Sequence, residues 1–316
     1  MTAARVLHIT NSDAAVQAVR RARMVGEFLA WKDPLYEGPI RSDLPLERHS
    51  AMRASYLSAR GLRHPIRALH EFARRDAIVA KARDFEEIIL WFEHDLFDQL
   101  QLVQILVVLA AMRLEPGRVT LVQADDFLTQ LVPDDLAARG TRRRSVTEGA
   151  FSAARRVWEA LGASEPHALS DAARVEHPGL PYLRPALARL CEEYPSVRDA
   201  LSRTQRNALQ TVERNPGLPS DELFRRAQAR EEVPFLGDGV FEAVLRDLAA
   251  EPGALIEPVG AGFTTTALGR RILGGDADWA EIRPIERFVG GVHLRPGRLW
   301  RYDEQTRSFV LSDGQR

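Results

Sequence analysis

Four short apolar runs, separated by longer helical stretches, dominate the N-terminal part of the chain. The runs lack the polar alternation of a half-exposed strand, so each is expected to be buried on both faces. Buried strands that alternate with helices are typical of a parallel sheet covered by helices, and they predict an α/β fold with a Rossmann-like sheet. The four predicted strands are residues 6–10, 28–31, 88–92 and 119–122.

A long segment separates the second predicted strand from the third. Residues 46–83 carry apolar side chains at spacings of three and four, which is the pattern of amphipathic helices. We therefore predict a helical insert of two helices, placed so that it covers the carboxyl edge of the sheet as a lid.

The rest of the chain changes pattern twice. The 316 residues suggest two domains at roughly 100–200 residues per domain. Residues 201–273 read as three helices, a hairpin with a glycine-containing loop and a closing helix, which is the order of a winged helix; residues 299–311 alternate as a terminal β-hairpin. We predict a Rossmann-like domain at 1–145, a helical connecting region at 146–195 and a winged-helix-like domain with the hairpin at 196–316.

The charge, the apolar runs and the cysteine content indicate which partners and which compartment to expect. The formal net charge is −1, so no overall field attracts the chain to nucleic acid or to a membrane. No basic leader or bilayer-length apolar run is visible, and a cytoplasmic protein without a membrane partner is expected. The single cysteine, Cys191, excludes an internal disulfide framework and lies in a helical apolar pattern.

Polar residues follow each of the four predicted strands. Ligands of open α/β sheets bind outside the carboxyl ends of the strands, so these residues are the candidates for a site. Glu93, His94 and Asp95 are the predicted catalytic group, because ionisable side chains directly after a buried strand are costly to place without a partner. The predicted ligand-binding residues are Asn11, Ser12, Asp13, Asp33, Glu37, Gly38 and Gln99, with Asp125 and Asp126 as weaker candidates.

Several of these residues also have a structural interpretation. Ser12 or Asp13 could cap the helix that begins near Ala14, and Asp95 could cap the helix from Leu96. Capping does not exclude a ligand role, because helix N-termini bind anions. The run Glu37-Gly38-Pro39 is also typical of a turn.

The chemistry of the predicted site stays open between two alternatives. Neither standard phosphate-binding loop nor a nucleophile elbow occurs in the sequence. Carboxylates beside one histidine could hold Mg²⁺ or Mn²⁺, or they could form an acid/base pair. Among the other histidines, His8 is expected in the core, whereas His293 follows a glycine pair that permits close backbone approach. His49, His64 and His70 lie on the insert helices, where side chains are usually solvated.

Three motifs in the N-terminal part resemble one bacterial family, which is catalogued as domain of unknown function 1835. The resemblance covers roughly residues 6–126, and two runs of the C-terminal half resemble that family's companion region. It implies no activity, but it marks the strand-end motifs as a family hallmark. The three N-terminal motifs are His8-Ile9-Thr10-Asn11-Ser12-Asp13, Trp31-x-Asp33-x-Leu35-x-Glu37-Gly38-Pro39 and Leu90-Trp91-Phe92-Glu93-His94-Asp95-Leu96-x-x-Gln99-Leu100. The two runs of the C-terminal half are Leu201-Ser202-Arg203-Thr204 and Gly290-Gly291-Val292-His293-Leu294.

Two functions from different classes fit these observations. The first is an enzyme or ligand-binding protein that acts on a nucleotide-like or phosphorylated small molecule at the carboxyl edge of the sheet. The alternative is a ligand-sensing transcriptional regulator that binds DNA through the winged helix. The third helix of that unit carries Asp238, Glu242, Asp247 and Glu251 against Arg246, which argues against DNA as a partner. A homo-oligomer stays open, and the run 142–144 of three arginines is expected to be a solvated face.

Overall fold

The computed structural model describes residues 5–312. Strands and helices alternate in the N-terminal part, as the apolar runs predict, and a short 3-10 turn precedes the fourth strand. The elements in chain order are β1 (Val6–Thr10), α1 (Asp13–Arg21), β2 (Glu27–Ala30), β3 (Gly38–Pro39), α2 (Leu46–Ala59), α3 (Pro65–Val79), β4 (Glu87–Phe92), α4 (Leu96–Ala111), β5 (Val119–Gln123), α5 (Pro133–Thr141) and β6 (Arg144–Ser145).

The main sheet has five strands in the order β2-β1-β4-β5-β6. The first four are parallel to their neighbours, and β6 is antiparallel to β5. The prediction of an α/β protein with a parallel sheet is confirmed, and all four predicted strands are found to within one residue at each end. The short strand β6 was not predicted, because two exposed polar residues leave no hydrophobic pattern to detect.

Side chains of the central strands alternate between two apolar layers. Leu7 and Ile9 belong to the largest core cluster, together with residues of α4. His8 points to the opposite face, where Trp91 packs with residues of α1 and α5. Trp91 Nε1 donates to His8 Nδ1 at 3.0 Å, and the other ring nitrogen of His8 lies 3.3 Å from the carbonyl of Val25. His8 is therefore a core residue with both ring nitrogens engaged, as expected.

The predicted insert folds as the two packed helices α2 and α3. Helix α3 begins at Pro65, where a proline loses no helical hydrogen bond. Each helix buries an arginine, Arg53 in α2 and Arg75 in α3. Arg53 reaches Asp33, three residues beyond the end of β2. The insert thus covers the carboxyl end of this edge strand.

Helices and short hairpins form the C-terminal part. Strands β7 and β8 pair as one antiparallel hairpin, and β11 and β12 pair as the predicted terminal hairpin. The elements are α6 (Glu148–Gly162), α7 (His167–Ala172), α8 (Leu183–Cys191), α9 (Arg203–Arg214), α10 (Ser220–Gln228), α11 (Asp238–Ala249), β7 (Ile256–Val259), β8 (Gly262–Thr265), α12 (Ala267–Gly274), α13 (Trp279–Ile282), β9 (Arg287–Gly290), β10 (Val292–Leu294), β11 (Leu299–Asp303) and β12 (Ser308–Ser312).

A second, small sheet connects the N-terminal part of the chain with the C-terminal part. Strand β3 pairs in parallel with β9, and β9 pairs with β10. Gly38 in β3 has a φ of +85°, and a Cβ there would lie 2.1 Å from the ring of Tyr56, so this position requires glycine. The largest core cluster also contains residues from all three predicted domain segments, for example Leu7, Leu187 and Phe241.

Within residues 5–312, no helix combines the length and the apolar character needed to cross a bilayer.

Candidate functional site

The candidate site lies where the direction of strand addition in the main sheet reverses. From β1 the chain adds β2 on one side, and it then places β4 and β5 on the other side. The carboxyl ends of β1 and β4 are therefore neighbours at the switch point, which is the usual ligand position in open parallel sheets. Asn11 follows β1 directly, and Glu93 follows β4 directly.

Three buried carboxylates meet at this point. Glu93, Asp95 and Asp98 each offer an oxygen atom, and these atoms lie within 4.8 Å of one another. All three residues are at least 96 % buried. Asp95 is the N-cap of α4, where its Oδ1 accepts from the backbone amide of Asp98 at 3.0 Å. The start of α4 therefore holds the cluster together.

Hydrogen bonds from neutral groups orient the three carboxylates. Glu93 Oε1 accepts from the backbone amide of Leu128 at 2.7 Å, and Asp98 Oδ1 accepts from the backbone amide of Glu93 at 2.7 Å. Asn11 Nδ2 donates to Asp98 Oδ2 at 2.6 Å and to Glu93 Oε2 at 3.4 Å. Within residues 5–312, no lysine, arginine or histidine forms an ion pair with any member of the cluster.

Burial and mutual repulsion shift the pKa values of these acids upward. Burial, followed by the charge of Asp95, raises the pKa of Glu93 to about 8. Burial raises the pKa of Asp95 to about 7. Asp98 is fully buried next to both, and its pKa lies well above the usual range for the same two reasons. Carrying three negative charges here without a cation is thus energetically unfavourable.

Two amide side chains complete the cluster. Gln99 Nε2 donates to the backbone carbonyl of Glu93 at 2.6 Å, while its Oε1 has no hydrogen-bond partner among the described residues. Asn11 also has an amide oxygen without a partner: its two hydrogen bonds are both donated by Nδ2, and its Oδ1 accepts none from the described residues. Both side chains are more than nine-tenths buried. Buried amide oxygens normally have a partner, so these two stand out as acceptors for which residues 5–312 supply no donor.

The structure places Asp33 in a different hydrogen-bond network. Arg53 Nε and Nη2 donate to Asp33 Oδ1 at 2.9 and 2.8 Å, and both side chains are fully buried. Burial pushes the pKa of Asp33 upward, but the attraction of Arg53 outweighs it, so the pKa lies below its ordinary value. Asp33 is thus an ionised carboxylate in a paired site.

Glu37 and Gly38 belong to that second network as well. Tyr56 Oη donates to Glu37 Oε1 at 2.6 Å, and Arg60 Nε lies 3.4 Å from the same oxygen. Gly38 pairs with β9 and contacts Tyr56, as described above. These three predicted ligand-binding residues are therefore connected to the insert and the C-terminal part, whereas Asn11 and Gln99 are connected to the carboxylate cluster. Ligand binding by Asp33, Glu37 and Gly38 stays a prediction.

The other predicted site residues take varied positions. Ser12 caps α1, where its hydroxyl accepts from the amide of Ala15 at 3.2 Å. Asp13 is exposed and pairs with Lys32 at 2.9 Å. His94 lies between the rings of Phe127 and Tyr182, and its Nδ1 is buried without a partner among the described residues. Asp125 and Asp126 are exposed and pair with Arg139.

Sequence reasoning missed Asp98. A signal was present, because Asp95 and Asp98 stand three residues apart at the start of a helix and so face the same side. The expectation of solvated insert histidines is wrong for His49, which is 98 % buried. There Gln104 Nε2 contacts His49 Nδ1 at 3.2 Å, and burial lowers the pKa of His49 to about 4. Cys191 is buried, and this raises the pKa of its thiol to about 12.

Comparisons with protein-family models and with curated proteins found no match to this chain. The resemblance to domain of unknown function 1835 therefore stays a prediction.

Proposed function

We propose that the chain binds a divalent cation, Mg²⁺ or Mn²⁺, at Glu93, Asp95 and Asp98, and that it acts as an enzyme or binding protein on a phosphorylated or nucleotide-like small molecule at this edge of the sheet. The observation that carries the proposal is the cluster itself: three buried carboxylates have oxygen atoms within 4.8 Å of one another, and no cationic side chain of residues 5–312 pairs with them. Hard divalent cations take oxygen ligands of this kind.

The neutral groups around the cluster support a cation as well. The Oδ1 of Asn11 and the Oε1 of Gln99 are buried acceptors that find no donor in the part of the chain that the structure describes. Both amides already contact the cluster through their Nδ2 or Nε2 atoms. Carbonyl oxygens of asparagine and glutamine are common ligands of hard cations, so they are the candidates for additional coordination.

Two roles for the acidic residues remain distinct within this proposal. Glu93, Asp95 and Asp98 would hold the cation as ionised carboxylates, and the bound cation would supply Lewis-acid polarisation of a phosphate oxygen. Without a cation, Glu93 and Asp95 share protons at pH values near 7, which suits general acid/base work. His94 directly follows Glu93 and is the predicted partner in proton transfer.

A titration of the purified protein with MnCl₂ and MgCl₂ by calorimetry tests the proposal. We expect saturable binding near one ion per chain at pH 8, and a 10-fold to 100-fold loss of affinity in Asp98→Asn, which is the usual penalty for damaging a metal site. The matched control is Asp125→Asn, because Asp125 is exposed and lies outside the cluster. Equal affinity in Asp98→Asn and wild type, or no heat with either metal, would overturn the cation site.

We also propose that the main sheet is Rossmann-like and that part of the C-terminal half is a winged helix. The reversal of strand order at β1 and β4 supports a Rossmann-like sheet. Three helices, a hairpin and a closing helix support a winged-helix unit from α9 to α12. Its third helix, α11, contacts the insert, where Arg60 Nη2 lies 2.6 Å from Asp247 Oδ2. This contact and the acidic character of α11 make the alternative, a DNA-binding regulator, the weaker hypothesis.

A further inference from the structure

A cleft with a volume of about 810 Å³ lies at the β6 edge of the main sheet. It runs along β5 and β6, and its lining includes Arg139, Arg142, Arg144 and Tyr182. Pockets for small molecules usually measure roughly 300–1,000 Å³, so the cleft has the size of a metabolite site.

The two outer arginines of the run 142–144 face this cleft, whereas the middle one does not. Arg143 Nε and Nη2 donate to Glu87 at 2.6 and 2.8 Å, on the other side of the segment. Arg142 and Arg144 are exposed, and within residues 5–312 neither forms an ion pair.

The cleft lining carries three arginines, Arg139, Arg142 and Arg144, against two aspartates, Asp126 and Asp135. Arg139 is paired with Asp126 at 3.3 Å and with Asp125, which lies outside the lining, at 2.7 Å. Arg142 and Arg144 form no ion pair within residues 5–312, so their guanidinium groups are available to a ligand. Arginine binds phosphate oxygens in a planar, bidentate geometry, so a phosphate group is the anion that these two side chains fit.

A chain of contacts connects the cleft lining to the carboxylate cluster. The ring of Tyr182 lines the cleft and meets the ring of His94 edge-on, with 5.9 Å between centroids. His94 directly follows Glu93. The ring of Phe127 also contacts that of His94, at 5.6 Å between centroids, and the next residue, Leu128, donates its backbone amide to Glu93 Oε1.

We infer that this cleft binds the substrate of the proposed activity, and that the substrate is a small molecule with a phosphate or diphosphate group held by Arg142 and Arg144. The inference rests on the proposed function, and it adds the part of the site that recognises the anion. The neighbouring cluster then holds the cation that accompanies a phosphorylated substrate.

Calorimetric titrations with ADP, pyrophosphate and ribose 5-phosphate in metal-free buffer test the inference. At least one of the three is expected to bind wild type, and the double variant Arg142→Gln/Arg144→Gln is expected to bind it at least 10-fold more weakly. The matched control is Arg48→Gln/Arg74→Gln, because both arginines are exposed on the insert helices and lie outside the cleft. Both double variants remove two positive charges, so the comparison separates a local site from the overall field.

The outcomes separate this inference from the proposed function. Binding of all three anions by the double variant as tightly as by wild type, or equal weakening in the control, overturns the anion site. So does wild type that binds Mn²⁺ but none of the three anions, and the cation proposal then stands alone. Anion binding that depends on Arg142 and Arg144, in a protein that takes no Mn²⁺, supports the cleft and rejects the cation site.

Discussion

Two groups of buried acidic side chains lie in the N-terminal part of the chain, and they differ in what balances their charge. Asp33 is paired with Arg53, and Asp76 of the insert is paired with Arg75 at 2.9 Å. The cluster of Glu93, Asp95 and Asp98 has only neutral donors around it among the described residues. Each acid of the first group has an arginine partner, although Asp33 Oδ2 has no hydrogen-bond partner among the described residues, whereas no acid of the second group has a cationic partner there.

The difference shows that position after a strand does not by itself identify a binding site. Glu93 follows β4 directly and Asp33 lies three residues beyond β2, and both are predicted as site residues because they follow strands of the sheet. What separates them is the partner that the tertiary fold delivers. Helix α2 brings Arg53 to Asp33, and no element of residues 5–312 brings a cation to Glu93.

The largest effect is expected from breaking the balanced pair. In Arg53→Met, the carboxylate of Asp33 stays buried without its partner, and the carbonyls of Pro34 and Glu37 lose a donor. Removal of one member of a buried ion pair typically costs about 3–5 kcal/mol. Equilibrium unfolding in urea should show a loss of that size in the free energy of unfolding.

An exposed ion pair provides the control for this measurement. Arg41 and Asp43 form a pair at 2.6 Å, in which more than half of each side chain is exposed. Arg41→Met should leave the free energy of unfolding almost unchanged, because water screens the pair. If the two variants lose similar stability, the pair of Asp33 and Arg53 is not the structural element described here.

Local patterns in the sequence predicted the local features of both groups. The runs of β1 and β4 predicted the strands, and the capping preferences of Ser12 and Asp95 predicted the starts of α1 and α4. The pairing of Asp33 with Arg53 could not be predicted from the sequence, since the two residues lie 20 positions apart and one belongs to the insert. The pairing of β3 with β9 joins still more distant segments and leaves no periodic signal in either.

The second prediction concerns pH, to which the two groups should respond differently. Burial raises the pKa of Glu93 to about 8, from an ordinary value of 4.5. The folded chain then binds more protons than the unfolded chain between these values, so the contribution of Glu93 to stability is present below pH 4.5 and is lost as the pH rises towards 8. Asp33 has a lowered pKa, so its contribution is constant in this range.

Thermal and urea unfolding in EDTA, from pH 5 to pH 8, should show this loss as roughly 1–3 kcal/mol. Histidines with lowered pKa values, such as His49, act in the opposite direction, so the comparison is made with Glu93→Gln. That variant keeps the shape of the side chain and should show a flatter profile. Parallel profiles for the two proteins would mean that Glu93 is not charged in an unbalanced cluster. Added Mn²⁺ should restore stability at pH 8 in wild type if the cation site exists.

The smallest effect on the free energy of unfolding is expected from Asp95→Asn. The difference from the larger effect expected for Asp33→Asn distinguishes the unpaired cluster from the paired group. At pH 5.5 the carboxyl of Asp95, with a pKa of about 7, is protonated and neutral, so asparagine replaces it with little change in charge or shape. Asparagine also caps a helix about as well as aspartate, and the bond to the amide of Asp98 can be kept. The free energy of unfolding should therefore change by less than about 0.5 kcal/mol, whereas Asp33→Asn at the same pH weakens an ionised pair and should cost clearly more. A large loss in Asp95→Asn at pH 5.5 would show that Asp95 is charged and balanced in the folded chain, and the contrast between the two groups would then be wrong.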